Sequence, residues 1–268
     1  MLFQKAVVKK HIALLVSLIM VSAAMISCET DPMAEDNAGY YEIPRVTKGQ
    51  NEQVIFHLGY TVSYNHSWLV PNWVAYELTR DELNGTVKRT NYYRPDPQDN
   101  MDPVQPDEYT HSNYDRGLMA PAADMKWSEQ AMKECHYMTN VCPQKSDMNS
   151  GDWLRIETKV RKWAKDYKKV YIASGPIVTK PFETIGVSRE IAVPKSFYKV
   201  CLIKKSFNKW SAIGFVMDNG VTGSNDLKSY VKTVDEIESL VGIDFFVNLP
   251  DEIEEEVEAN IIERDWFY

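Results

Sequence analysis

Two stretches near the front of the chain, Gln53 to Tyr64 and Trp68 to Leu78, alternate apolar and polar positions and are rich in β-branched and aromatic residues. A two-residue period of that kind predicts strands with one face buried. Arg89 to Pro106 breaks the alternation with Pro95, Pro97, Pro103 and Pro106, which excludes a helix and predicts an extended loop. Trp127 to Lys133 reads as a short helix, and Cys135 to Asn140 alternates like a strand that Pro143 ends. The period then changes. Trp153, Ile156, Val160, Trp163, Ala164 and Tyr167 recur at three- and four-residue spacing with basic residues between them, so a helix with one apolar stripe is expected, capped by Ser150 or Asp152. Further strands are expected at Val170 to Ser174, closing on a Gly175-Pro176 turn, and at Glu190 to Val193, Tyr198 to Lys204 and Trp210 to Met217. Helices follow at Val234 to Val241 and Glu252 to Ala259, with an apolar, aromatic segment from Gly242 to Leu249 between them. The mix of elements is α+β.

The N-terminus lies outside this pattern. Lys5, Lys9, Lys10 and His11 precede an apolar run from Ile12 to Ile26 that closes on Ser27-Cys28, with Ala23 and Ala24 just upstream. This is the layout of a signal segment, residues 1–27, and the run is shorter than the ~20 residues a spanning helix needs. A Cys directly after a small residue resembles a bacterial lipoprotein processing site. Cys28 is then the expected lipid anchor, and the mature chain an exported cell-envelope lipoprotein on the periplasmic side or the cell surface. The alternative is an ordinary secretory signal with an incidental cysteine. Residues 28–50 are polar and rich in breakers (Asp31-Pro32, Asn37, Gly39, Pro44), which predicts a tether. Residues 51–268 are the one expected folded domain, long enough for a well-covered core.

Composition narrows the chemistry. Cys135, Cys142 and Cys201 are an odd set beyond the anchor and cannot form a closed disulfide framework; a pair involving Cys201 and three buried thiols are both open. None has the spacing of a zinc site. The net charge of −8 excludes attraction of nucleic acid by bulk charge, so any phosphate contact must come from local clusters of Lys and Arg. One such cluster is the helix from Trp153 onwards, with Arg155, Lys159, Arg161, Lys162, Lys165, Lys168 and Lys169 against Glu157 and Asp166. The same run is equally readable as a solvated helix face. Asp251 to Glu258 is almost wholly acidic.

The string Tyr114-Asp115-Arg116-Gly117-Leu118-Met119-Ala120-Pro121 resembles the Asp-Arg-Gly-His signature, followed closely by Pro, of the DNA/RNA non-specific endonuclease family. The resemblance continues through Asn140-Val141-Cys142-Pro143-Gln144, Asn149, Trp153 and Glu157 at the family's spacing. It extends outward to Trp73 to Leu78, Tyr171 to Pro176, Ile213 to Asn219 and Gly242 to Phe246. It implies a ββα-metal nuclease core within a larger sheet-and-helix domain, and hydrolysis of DNA and RNA phosphodiester bonds without sequence preference. By the same resemblance Asn149 is the protein ligand of a divalent cation, Mg²⁺ or Mn²⁺. A single neutral ligand with several waters suits Mg²⁺. Glu157, eight residues on along a helix, is expected to reach back and hold water at that cation. Arg116 and Arg89 are expected on the phosphate, Asn140 positions the site, and Arg155 and Lys159 extend the nucleic-acid contact. Blander roles stay open: a turn residue for Asn149, a pair with Arg161 for Glu157, a salt bridge to Asp115 or Asp124 for Arg116.

Leu118 is the departure. It stands where the family has the histidine that acts as general base, and leucine neither accepts a proton nor orients water. Loss of a positioned base typically costs ~10²–10⁴-fold. His111, seven residues upstream, and His136, on the alternating segment, are the nearby imidazoles. The expected function is therefore a metal-dependent, non-specific endonuclease of impaired activity. The alternative is a pseudo-nuclease that binds nucleic acid as a surface lipoprotein without turnover.

Overall fold

The computed structural model describes residues 39–46, 52–206, 208–220, 223–224 and 226–267. The signal segment 1–27 and the expected anchor Cys28 lie outside the described residues. In chain order the strands are β1 (Arg45–Val46), β2 (Gln53–Phe56), β3 (Thr61–Asn65), β4 (Val70–Thr79), β5 (Asp115–Leu118), β6 (Val141–Gln144) and β7 (Lys169–Ile177). They continue with β8 (Thr184–Ile185), β9 (Ile191–Ala192), β10 (Ser196–Ser206), β11 (Lys209–Asp218), β12 (Val231–Lys232) and β13 (Ile243–Asp244). Seven of them form one antiparallel sheet, β12-β11-β10-β7-β4-β3-β2.

Both faces of this sheet are covered, which explains why its middle strands are buried along most of their length. Side chains alternate between faces with a period of two. On β10, Phe197, Cys201 and Ile203 enter a front core, while Tyr198, Val200 and Leu202 enter a back core. The front is closed by the helix Leu154–Tyr167, whose stripe Ile156, Val160, Trp163 and Ala164 is buried as its spacing demands. The back is closed by the helices Val234–Val241 and Asp251–Ala259, through Val234, Ile237 and Val257, with Phe245, Phe246 and Leu249 between them.

Several expectations are corrected. Gln53 to Tyr64 is a hairpin of two strands, closed where the His57 N–H donates to the Tyr60 carbonyl. Gly175-Pro176 is no turn: β7 runs through it, paired with Tyr198 and Phe197. The last β7 partner on β4 is Ser174, so Pro176 has a strand on one side only, where a missing N–H is tolerated. Cys135 to Asn140 is not a strand but leads into the single 3-10 turn Met138–Asn140; the strand is β6, and Pro143 lies inside it opposite Arg116. Asp152 and Ser150 do not cap the long helix, which has no side-chain cap. Asp152 instead accepts from the Gly223 and Ser224 N–H groups and the Tyr230 hydroxyl, tying that loop to the helix start.

The expected tether, residues 28–50, also runs too far into the chain. Gly39–Tyr268 is one compact unit, in which Tyr41 stacks edge-on against Tyr171, Ile43 joins the back core, and β1 pairs with β13. The breakers Gly39 and Pro44 misled the reading, because they punctuate a packed strap. Arg89 to Pro106 is extended as expected, held by a buried chain in which Asp96 meets the His57 ring at 2.9 Å and accepts from the Thr139 hydroxyl. Cys135, Cys142 and Cys201 are free and buried, which settles the alternative in favour of thiols.

Glu42, in the strap, is buried with Oε2 lacking a hydrogen-bond partner, and burial pushes its pKa up to about 7. A carboxyl that keeps its proton in the fold to pH 7 but loses it near 4.5 when unfolded contributes stability that is complete below 4.5 and lost as pH rises through 7. Glu42→Gln should therefore melt several degrees above the wild type at pH 8 and close to it at pH 5. An equal difference at both pH values would contradict this account.

Candidate active site

The motif residues sit on a two-stranded antiparallel ribbon, β5 with β6, beside the front of the sheet. Its register sets Asp115 opposite Gln144, Gly117 opposite Cys142 and Leu118 opposite Val141. Gly117 is required sterically, since a β-carbon there would overlap the side-chain amide of Gln144. That amide is fully buried, and neither of its polar atoms has a partner.

Asn140 fixes the turn beyond the ribbon. Its Oδ1 accepts from Ala120 N–H at 2.9 Å, and its Nδ2 donates to the carbonyls of Ala120 and Cys135 at 3.0 and 2.7 Å. Met119 N–H donates to the Asn140 carbonyl, and the Ser174 hydroxyl of β7 donates to the Met119 carbonyl. The segment after Leu118 is thereby locked to the sheet, and all three of those side-chain bonds go to backbone.

From β6 the chain makes one helical turn, Ser146–Met148, then a wide turn, Asn149–Trp153, and only then the helix Leu154–Tyr167. Gly151 has non-helical dihedrals, φ −97° and ψ −112°. The expectation of one continuous helix from Asn149 to Glu157 is corrected accordingly: the kink offsets Asn149 from the helix that carries Glu157. Asn149 is half-buried, and its Nδ2 donates to Asp115 Oδ2 at 3.0 Å. That bond fixes the amide and leaves its carbonyl oxygen as the donor for a cation, which is the ligand type Mg²⁺ accepts.

Arg116 is half-buried. Its Nε and Nη2 donate to the Pro106 carbonyl at 3.1 and 2.8 Å, and its guanidinium lies 5.3 Å from the Tyr93 ring. Tyr93 donates from its hydroxyl to the Arg116 carbonyl and lies within reach of the charge of the exposed Arg89. Arg89, Tyr93 and Arg116 thus form one linked group, with Asp115 and Asn149 next along the ribbon.

Glu157 lies deeper, 8% exposed, and its burial pushes the carboxyl up to about 7 against the pull of Lys199, Arg161 and Arg89. Lys199 is wholly buried on β10, with Nζ unpartnered and 4.8 Å from the Trp153 ring centroid. Arg161 does not pair with Glu157 but bonds Asp124 at 2.9 Å, and Asp124 also takes the Tyr76 hydroxyl. Arg155 is exposed and tied to Asp152 and the Ser224 carbonyl; Lys159 is half-buried.

Leu118 is 7% exposed and belongs to the front core. Of the two nearby imidazoles one is exposed and the other buried. His111 is exposed with φ +59° at a loop tip. His136 is fully buried, its Nδ1 at the Met132 carbonyl and its ring edge-on to Tyr93, and burial lowers its pKa. The sequence reading missed Tyr93, the Asp115 bond to Asn149, and Lys199. Lys199 carried a faint signal, as a charge inside the apolar run from Phe197 to Ile203.

Comparison with known proteins gives the family. The DNA/RNA non-specific endonuclease family matches residues 39–252. A nuclease of Serratia marcescens is 31% identical over 218 residues, 78% of this chain and 80% of its own length. The mitochondrial nuclease EXOG of Danio rerio is 33% identical over 71% of this chain, and the match spans 60% of that relative. Among solved structures, one of the EndoG/EndoGI complex, titled as a mechanism of EndoG inhibition, superposes with a TM-score of 0.69 at 26% identity over 74% of this chain and 87% of the other. With an antiparallel sheet, a motif-bearing ribbon and a helix in the α+β arrangement of a ββα-metal nuclease, the chain belongs to the DNA/RNA non-specific endonuclease family.

Proposed function

We propose that the chain is a metal-dependent, sequence-non-specific endonuclease of DNA and RNA whose turnover is strongly impaired, because Leu118 leaves the attacking water without a base. The observation that carries this reading is the hydrogen bond from Asn149 to Asp115, beside Arg116 on the same ribbon. Asn149 would hold the divalent cation, Mg²⁺ or Mn²⁺, with Glu157 behind it acting through water. When bound, the cation supplies positive charge at the scissile phosphate and its leaving group.

The protein's own residues do the rest. Arg116 is held in place by the Pro106 carbonyl, which engages two of its five donors and directs the planar fork. Arg116 and Arg89 then bind the phosphate oxygens and stabilise their growing charge. Asp115 keeps the Asn149 amide in one orientation. Position 118 offers no atom that takes up a proton, so the step from bound phosphate to attack lacks its usual acceptor.

The burial of Leu118 in the front core favours a second reading, a nucleic-acid binder without turnover. For both readings we propose export of the chain and a lipid anchor at Cys28, with Arg155 and Lys159 flanking the nucleic-acid contact.

Binding tests the shared premise. Fluorescence anisotropy with short mixed-sequence duplexes should give a straight log-log fall of affinity with salt, because phosphate contacts release counterions. Different sequences should bind alike. Arg116→Ala should weaken binding about tenfold and reduce the slope by roughly one. Binding that ignores salt, or none at low salt, would count against a retained phosphate groove.

A further inference from the structure

On the far side of the sheet from this site, carboxylates of Asp235, Glu238 and Glu258 bring one oxygen each to within 4.8 Å of one another. Asp235 and Glu238 lie on the helix Val234–Val241, and Glu258 near the end of the helix Asp251–Ala259. Acidic groups gather on many surfaces, but this one is built inward. Glu258 is 6% exposed, and its Oε1 has no hydrogen-bond partner. The charges that act on it most strongly are all acidic: Glu238, Glu254, Asp235 and Asp244. It also stands in the last turn of its helix, where the helix dipole disfavours a negative charge. A buried anion without a partner is expensive, and an opposite charge usually accompanies it. Arg45, whose charge reaches the neighbouring Asp244 and Glu254, bonds Asp244 at 3.5 Å and is itself largely exposed.

We propose that Asp235, Glu238 and Glu258 form a second metal site, for a calcium-class divalent cation that clamps the two back helices together. Three carboxylate oxygens form a hard-ion donor set. Oxygens within 4.8 Å of one another can converge on one ion at the ~2.3–2.6 Å calcium distance, and a set of three carboxylates suits calcium better than Mg²⁺, which keeps several waters and takes one or two carboxylates. Glu238 is held for the purpose, since its Oε1 accepts from the Phe245 N–H at 2.8 Å. The acidic run Asp251 to Glu258, which the nuclease reading leaves unused, supplies the surrounding field. Without an ion the cluster must keep a proton: burial and its acidic neighbours push Glu258 up to about 9, and burial pushes Glu238 up to about 7.

The test uses the full purified chain, stripped with chelator and titrated with CaCl₂ at pH 7.5 by calorimetry and thermal melting. One ion per chain should bind with Kd of roughly 10⁻⁵–10⁻³ M. Melting should rise by about 5 °C or more at a hundredfold excess over Kd. Glu258→Gln should weaken calcium binding at least tenfold while raising the melting temperature of the calcium-free protein. Asn149→Ala should keep the full calcium effect, which separates this site from the nuclease site. Should Glu258→Gln not fold, Asp235→Asn at an exposed position takes its place with the same expected loss. No calcium-dependent shift in the wild type overturns the proposal, as does an undiminished shift in Glu258→Gln or its loss in Asn149→Ala. An equal shift from MgCl₂ at the same concentrations overturns the choice of ion.

Discussion

Leu118→His should raise magnesium-dependent plasmid cleavage by at least ~10²-fold over the wild-type chain, the lower end of what a positioned general base contributes. The surrounding site supports the change. Leu118 ends β5, with the Asn140-pinned turn on its C-terminal side and Asp115, bonded to Asn149, three residues before it. Leucine and histidine have similar volumes, so the front core is asked to accept a change of polarity rather than of size. The gain should require the cation and should vanish when Asn149→Ala is added, since a base helps only where the phosphate is held. A melting curve reports whether the variant folds. A folded Leu118→His chain that binds Mg²⁺ and duplex yet leaves plasmid intact would replace the enzyme reading with the binder.

The elements and the ribbon motif were legible because they rest on local rules. Period two gave β4, and period three to four gave the helix Leu154–Tyr167, whose stripe faces the sheet. What failed depends on distant partners. Asp152 has the composition of a helix cap, but a loop some seventy residues away claims both its oxygens together with Arg155. Pro176 reads as a strand breaker until the pairing of β4 with β7 is seen to end at Ser174, two residues before it. Arg161, four residues from Glu157, reads as its partner, yet Asp124 lies closer in space. Tyr93 and the surroundings of Lys199 were hidden for the same reason: nothing in their own segments announces Arg116 or Glu157.

The two faces of the sheet now carry different kinds of charge. The front holds the cations Arg89, Arg161 and Lys199 around the buried carboxylates Asp124 and Glu157, with Arg116 on the ribbon. The back holds the acids of the C-terminal helices, with Arg45 at their margin. Such a segregation would let a chain of net charge −8 present the phosphate-binding surface proposed for it.

Asn140→Ala should lower the melting temperature by roughly 10 °C and abolish the cleavage gained in Leu118→His. The wild-type amide satisfies the N–H and C=O of Ala120 and the C=O of Cys135 in an interior where Asn140 is 0% exposed. Alanine leaves all three groups buried and unpaired, at about 1–3 kcal/mol each where no relaxation intervenes. A loss of roughly 3–5 kcal/mol after partial relaxation corresponds to that shift for a domain of this size. Asn140→Asp should not rescue it, because aspartate keeps the acceptor for Ala120 N–H but loses both donors and brings a charge into the core. Activity measured well below the melting point separates two roles. A positioning residue that holds the turn after residue 118 should lower kcat and destabilise the fold together, whereas a group acting on the substrate would lower the rate and leave melting unchanged. An Asn140→Ala chain that melts within about 2 °C of its parent and yet fails to cut would mean that the amide touches the substrate, and that the three backbone bonds are not its main employment.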